Sequence, residues 1–170
     1  MKVAVSTQPN KPIAFVEQTR GKSDRTVAIE ASVLLNMHLS QLLSTFMVDD
    51  PDEVDALLRE ERALGNFASR IRAAYTLGLI SKDERDDLRI VQYIYRMFTN
   101  QMEGIAFDDK KVREWCYLFK LRESIMLSEE TLEPRGLFVF TVGLLVQRLS
   151  LRIRQAEKLQ RKTPAEFDVT

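Results

Sequence analysis

The chain holds one histidine, His38, and one cysteine, Cys116, so a thiol–imidazole nucleophile would have to be built from this pair alone. A structural zinc site takes about four nitrogen or sulfur ligands, more than these two side chains supply. Both also fall on apolar stripes. His38 follows Ala28, Ala31 and Leu35 and precedes Leu42; Cys116 stands beside Trp115 in the series Val112, Trp115, Cys116, Phe119. Those positions suit a hydrogen-bonded core histidine and a small buried hydrophobe better than a catalytic pair. There is no Gly-rich phosphate loop and no Gly-x-Ser-x-Gly elbow.

Carboxylates are the other chemistry on offer. Asp83, Glu84, Asp86 and Asp87 crowd one short stretch, with Lys82, Arg85 and Arg89 interleaved. Asp86 and Asp87 do not share a helical face, so the pattern reads as a solvated helix start favoured by the dipole, not as a metal site. The expectation is a protein with no catalytic residues, no metal and no cofactor.

The elements that carry these residues are helical. From Leu64 to Asn100 the sequence reads as two helices joined by a tight turn. Leu64, Phe67 or Ala68, Ile71, Ala74 or Tyr75 recur in the first arm, and Leu88, Val91, Tyr95, Phe98 and Met102 in the second. Ile90, Ile94 and Met97 form a second stripe, wide enough to pack against two partners. Between the arms, Gly78 suits a left-handed C-terminal position, and Ser81 with Glu84 is a capping box. A recognition helix would put its first turn into the major groove of DNA. Here that turn carries four acids against two bases, which phosphates would repel, so the hairpin is not expected to read DNA.

Outward from the hairpin, a helix is predicted from Asp24 to about Phe46, capped by Ser23 or Asp24. Another follows from Pro51 to Glu60 with Val54, Leu57 and Leu58 inward, its start marked by Asp50-Pro51-Asp52-Glu53. Gly104 is expected to end the long hairpin helix, and Asp108 to cap the one that presents Trp115. A loop is expected over Ser128–Pro134. A last helix runs from about Pro134 to Arg161, apolar in its first half and basic in its second. Residues 1–22 read as a flexible arm or a short hairpin in which Val3, Val5, Ile13 and Phe15 alternate around a Pro9–Pro12 turn.

The sum is an all-α protein: one helical domain of about six helices over residues 23–162, with a central hairpin, a long C-terminal helix and a tail over 163–170. At 170 residues, with 25 basic and 25 acidic side chains, the chain can bury a sizeable core and exerts no global field toward nucleic acid or membrane. The single cysteine fits a reducing compartment. No signal peptide is apparent at the N-terminus, and no uninterrupted apolar run approaches membrane-spanning length. The expected setting is soluble and cytoplasmic, without a membrane.

Two polar groupings stand out as candidate sites. Arg70 and Asp87 lie on the two arms of the hairpin, where they could pair across it or, with Asn100, face a ligand. Arg148, Arg152, Arg154, Lys158 and Arg161 line the last helix, opposed only by Glu157, and could hold a phosphate backbone or an acidic partner. They equally suit a solvated helix end whose cations complement the dipole. The acidic stretch Asp49–Asp55 offers a complement to it for subunit pairing.

The central stretch resembles the mannitol operon repressor family of bacterial regulators. The resemblance rests on Leu64-Gly65-x-Phe67-x-Ser69-Arg70-Ile71, on Ala74-Tyr75-x-Leu77-Gly78-Leu79-Ile80, and on Glu84, Asp87, Ile90 and Ile94. It extends to Asp24-Arg25, to Asp49-Asp50-Pro51 and to Ala106-Phe107-Asp108-Asp109, about residues 24–120 in all. It implies an all-helical fold and transcriptional repression. Where similar sequences carry an Arg-Asn-x-Phe-Ala-His-like segment, this chain reads Tyr95-Arg96-Met97-Phe98-Thr99-Asn100. That segment is similar to the Arg-x4-His signature of HEPN-type ribonucleases, and its loss argues against nuclease activity. The expected function is a non-enzymatic repressor-like regulator working through protein contacts and, if at all, the basic last helix on DNA. The alternatives are a homodimeric helical scaffold that never meets DNA and a degenerate HEPN-like protein.

Overall fold

Ser23 begins the first long element. Its hydroxyl accepts the Thr26 N–H at 3.2 Å, and helix α2 runs Asp24–Phe46 behind it. The computed structural model describes residues 11–100, 104–121 and 133–167, and within these the chain is all helical. Ahead of α2 lies α1 (Lys11–Gln18); after it come α3 (Pro51–Leu58), α4 (Phe67–Thr76), α5 (Lys82–Asn100), α6 (Lys110–Cys116) and α7 (Pro134–Glu157). Val3, Val5, Met102 and the loop expected from Ser128 lie outside the described residues.

The expected strand-like alternation at Ile13 and Phe15 is corrected: residues 11–18 form α1, which packs on α7 and buries Phe15. Spacing of two also occurs within a helix when adjacent faces are both used, so two apolar residues are too few to set the period. α3 stops at Leu58 rather than Glu60 and turns only Leu58 fully inward, leaving Leu57 exposed. The N-cap position of α6 is Asp109, not Asp108, and its carboxylate accepts the Ala106 N–H at 2.6 Å instead of capping the helix. α6 ends at Cys116, so Phe119 enters the core from the segment beyond it, and α7 ends at Glu157.

The hairpin forms as its punctuation dictates. Gly78 has φ +71°, a left-handed conformation that carries little penalty only without a Cβ. Ser81 and Glu84 close a reciprocal capping box: the Ser81 N–H donates to Glu84 Oε2 at 2.7 Å and the Glu84 N–H to Ser81 Oγ at 3.2 Å.

α2 packs against α4, α5 and α7, which makes it one axis of the core; α6 closes the α5–α7 side. An aromatic chain knits that side together. Phe98 of α5 lies 5.1 Å from Phe107, Phe107 lies 4.8 Å from Phe138 of α7, and Phe119 lies 6.3 Å from Phe138, all tilted. α7 is long and apolar enough to cross a membrane by length and composition, which the sequence reading did not anticipate. Most of its apolar side chains, among them Leu137, Phe138, Val142, Leu145, Leu149 and Ile153, are instead buried within this core, while Leu151 is exposed.

Phe138 is fully buried between Phe107 and Phe119, so Phe138→Ala should cost about 3–5 kcal/mol in chemical denaturation. Met37 projects from α2 with most of its surface exposed, so Met37→Ala should stay within about 0.5 kcal/mol of wild type.

Candidate functional site

Arg70, on the buried side of α4, is the first of the polar residues singled out by sequence. Its guanidinium donates to Leu64 O at 2.8 Å, to Leu58 O at 2.6 Å and to Asn36 Oδ1 at 2.9 Å. Burial lowers its pKa from the usual arginine value. Asp87 points elsewhere. Its two carboxylate oxygens accept the Lys120 N–H at 2.6 Å and the Leu121 N–H at 2.8 Å. The expected Arg70–Asp87 pair across the hairpin is therefore corrected: each residue serves a different loop. Asn100 sits exposed at the end of α5, and no bond joins it to either residue among those described. The hairpin spacing was compatible with the pair, but nothing local in the sequence revealed that backbone groups from residues 58, 64, 120 and 121 would compete for it.

The acidic start of α5 is likewise only partly the solvated face expected. Glu84 and Asp87 are buried, and Arg152 from α7 donates from Nε to both Glu84 oxygens, at 3.3 and 3.2 Å. Arg152 is thus a tie between α7 and the hairpin turn rather than a free cation. Arg161 is engaged as well: its N–H donates to Phe46 O at 2.9 Å and its guanidinium lies 4.9 Å over the Phe46 ring. Arg154 and Lys158 are exposed, while Arg148 is half-buried. The five cations do not form one uniform basic face.

A further polar tie escaped the sequence reading. Asp24 pairs with Arg135 at the start of α7 and also accepts the Phe107 N–H at 2.9 Å. Arg135 in turn donates to Thr19 O at 3.0 Å and Lys22 O at 2.7 Å. The sequence marks Asp24 as a helix start and as part of the Asp24-Arg25 resemblance, and no local signal links it to residues 107 and 135.

His38 and Cys116 do not make a catalytic pair. They belong to α2 and α6, which are not packed against each other. His38 Nδ1 lies 2.8 Å from Leu34 O, the helical back-bond of a core histidine. Burial pushes the Cys116 thiol up to about 12, far from the range of a reactive thiolate. Among the described residues, no three His, Cys, Asp or Glu side chains gather as metal ligands.

Two accessible surfaces stand out among the described residues. One is a cleft of about 690 Å³ between α2, α4 and α5, bordered by Asn36, Asn66, Arg72, Gln92, Tyr95 and Arg96. The other lies between α5 and α6, where Tyr93 and Trp115 are in ring contact at 4.4 Å beside Ile90 and Leu118, rimmed by Asp86, Arg89 and Lys120. Tyr93 is 47% exposed and Leu118 52%.

This architecture, a helical hairpin laid on a long second helix and closed by a buried last helix, is an MtlR-like fold. A chain in the X-ray structure of the MtlR–HPr complex from Escherichia coli shares it with a TM-score of 0.68 and 20% sequence identity, over 84% of this chain and 99% of that one. No protein-family model matches the sequence, and no curated protein aligns with it. The likeness is one of fold.

Burial raises the Asp87 carboxyl from 3.8 to about 6; the Lys120 and Leu121 N–H groups oppose that rise, and the charges of Asp83 and Asp86 add to it. Its folded value exceeds its unfolded one, so its contribution to stability is full below about pH 4 and lost as pH rises to about 6. Comparing wild type with Asp87→Asn by urea denaturation isolates this effect. The wild-type advantage should be larger at pH 4 than at pH 7 by on the order of 2 kcal/mol; an advantage that grows with pH would refute it.

Proposed function

We propose that this protein is a non-enzymatic, cytoplasmic bacterial regulator of the mannitol-operon-repressor type that acts by docking a protein partner of the HPr kind. The observation that carries the reading is the shared fold along nearly the whole of a chain solved in a complex with HPr. The α5–α6 surface supports it. Tyr93, Trp115 and Leu118 form an apolar centre with a mixed-charge rim, the layout in which a few aromatic and aliphatic side chains dominate protein association. The interior polar groups support the non-enzymatic part: Arg70, Glu84 and Asp87 are consumed by contacts within the protein, and the Cys116 thiol is buried and protonated.

A second reading keeps a place for nucleic acid, because Arg154 and Lys158 remain exposed near the end of α7. Phosphate contacts by such cations would make DNA affinity fall steeply with salt. With Arg152 and Arg161 drawn into structural contacts, few cations are left for this task.

Titration calorimetry with purified HPr tests the first reading. Wild type should bind, and Leu118→Glu, which places a charge at the apolar centre, should weaken binding by at least about tenfold while leaving the helical circular dichroism unchanged. Absence of binding to wild type, together with a mobility shift of DNA that vanishes in added salt, would replace this reading with the nucleic-acid one. A salt-independent homodimer that blocks Leu118 would support the scaffold alternative instead.

A further inference from the structure

The cleft between α2, α4 and α5 has a polar chemistry that partner docking at the α5–α6 surface does not use. α4 begins at its edge. Asn66 caps that helix: its Oδ1 accepts the Ser69 N–H at 2.9 Å and its backbone oxygen the Arg70 N–H at 3.1 Å. The N–H groups of Phe67 and Ala68, which no helical carbonyl can accept, belong to residues that line the cleft, at the positive end of the helix. Gly65 sets this geometry. A Cβ there would stand 2.1 Å from Arg59 O and 2.3 Å from Glu60 O, so only glycine lets the chain pass this close before the helix starts.

The side chains agree with the backbone. Arg72 of α4 and Arg96 of α5 border the cleft, neither in an ion pair among the described residues, against the single carboxylate of Glu60. Ser32 of α2 also lines it. It is only 5% exposed, and its hydroxyl makes no hydrogen bond among the described residues, which leaves it open to a polar group in the cleft. Asn36 has its oxygen committed to Arg70, which leaves its amide N–H groups to donate; Gln92 and Tyr95 complete a wall of hydrogen-bonding groups. The volume is that of a small-molecule pocket, within the usual range of about 300–1,000 Å³.

We propose that this cleft binds a small phosphorylated metabolite, its phosphoryl group seated on the start of α4 between Arg72 and Arg96 and its polar body over Ser32, Asn36 and Gln92. Free phosphate would satisfy the first half of the site but not the second. The proposal is independent of the partner reading, since it concerns a different surface and its test contains no second protein.

The test is calorimetry of the full chain in low salt with inorganic phosphate, ribose 5-phosphate and ribose as probes. Ribose 5-phosphate should bind more tightly than inorganic phosphate, ribose should not bind, and Arg72→Gln/Arg96→Gln should weaken ribose 5-phosphate by at least about tenfold. Both arginines are exposed, so the double variant should fold as wild type does, which circular dichroism checks. Ser32→Ala should reduce ribose 5-phosphate affinity and leave that of inorganic phosphate unchanged. No saturable binding of either phosphate, binding that survives in the double variant, or equal affinity for the two phosphates would overturn the proposal.

Discussion

A buried guanidinium must have acceptors, and Arg70 finds all of its own in groups that the chain would otherwise leave loose. Its fork reaches the side chain of Asn36 in α2, the last carbonyl of α3 at Leu58 and the carbonyl of Leu64 in the connection to α4. Removing such a charge from water without partners would cost several kcal/mol, so the connection between α3 and α4 is held where those carbonyls meet it. That constraint propagates. It fixes Gly65 against the 59–60 backbone, places the Asn66 cap, and so determines where the first turn of α4 opens. The cleft exists because Arg70 is satisfied.

The same device recurs on the other side of the molecule. Asp87 holds the backbone at residues 120 and 121, Asp24 and Arg135 tie the α1–α2 turn to the start of α7 and to residue 107, and Glu84 joins the hairpin turn to Arg152. In each case one charged side chain on a helix captures backbone groups or a second charge from a distant segment. Apolar packing brings the helices together; these charges decide where the connecting segments rest. The charges of Arg70, Glu84 and Asp87 are therefore committed within the fold, and the surface carries an apolar centre between α5 and α6 and a hydrogen-bonding cleft between α2, α4 and α5.

Most of the helices were legible because their signals are local. Capping residues at Ser23, Asp50 and Ser81, glycine at 78 and apolar repeats at three and four are written within one or two turns. α1 was not legible, since its eight residues carry too little pattern and it is held by burial of Phe15 against α7. Long-range polar pairing was the weakest point. Arg70 and Asp87 were rightly singled out as unusual, but their partners are mostly backbone groups up to 34 residues away, which carry no mark in a side-chain pattern. The basic helix misled for the opposite reason: spacing showed a row of cations, and only the fold showed that Arg152 and Arg161 are already engaged. Neither surface was foreseen, because Tyr93 meets Trp115, and Ser32 and Arg96 come to border one cleft, only after the helices pack.

The central claim is that buried charges, Arg70 above all, position the segments that shape the accessible surfaces. Native-state hydrogen exchange tests it most directly, by following the Leu64 and Gly65 amides in wild type and in Arg70→Met, with the Lys120 and Leu121 amides as an internal reference. In wild type, Leu64 donates to Leu57 O and Gly65 to Arg62 O. The account predicts that loss of the guanidinium frees these two amides to exchange by local opening while Lys120 and Leu121, held by Asp87, keep their protection. Unchanged protection at 64 and 65, or a loss spread evenly over both segments, would contradict it.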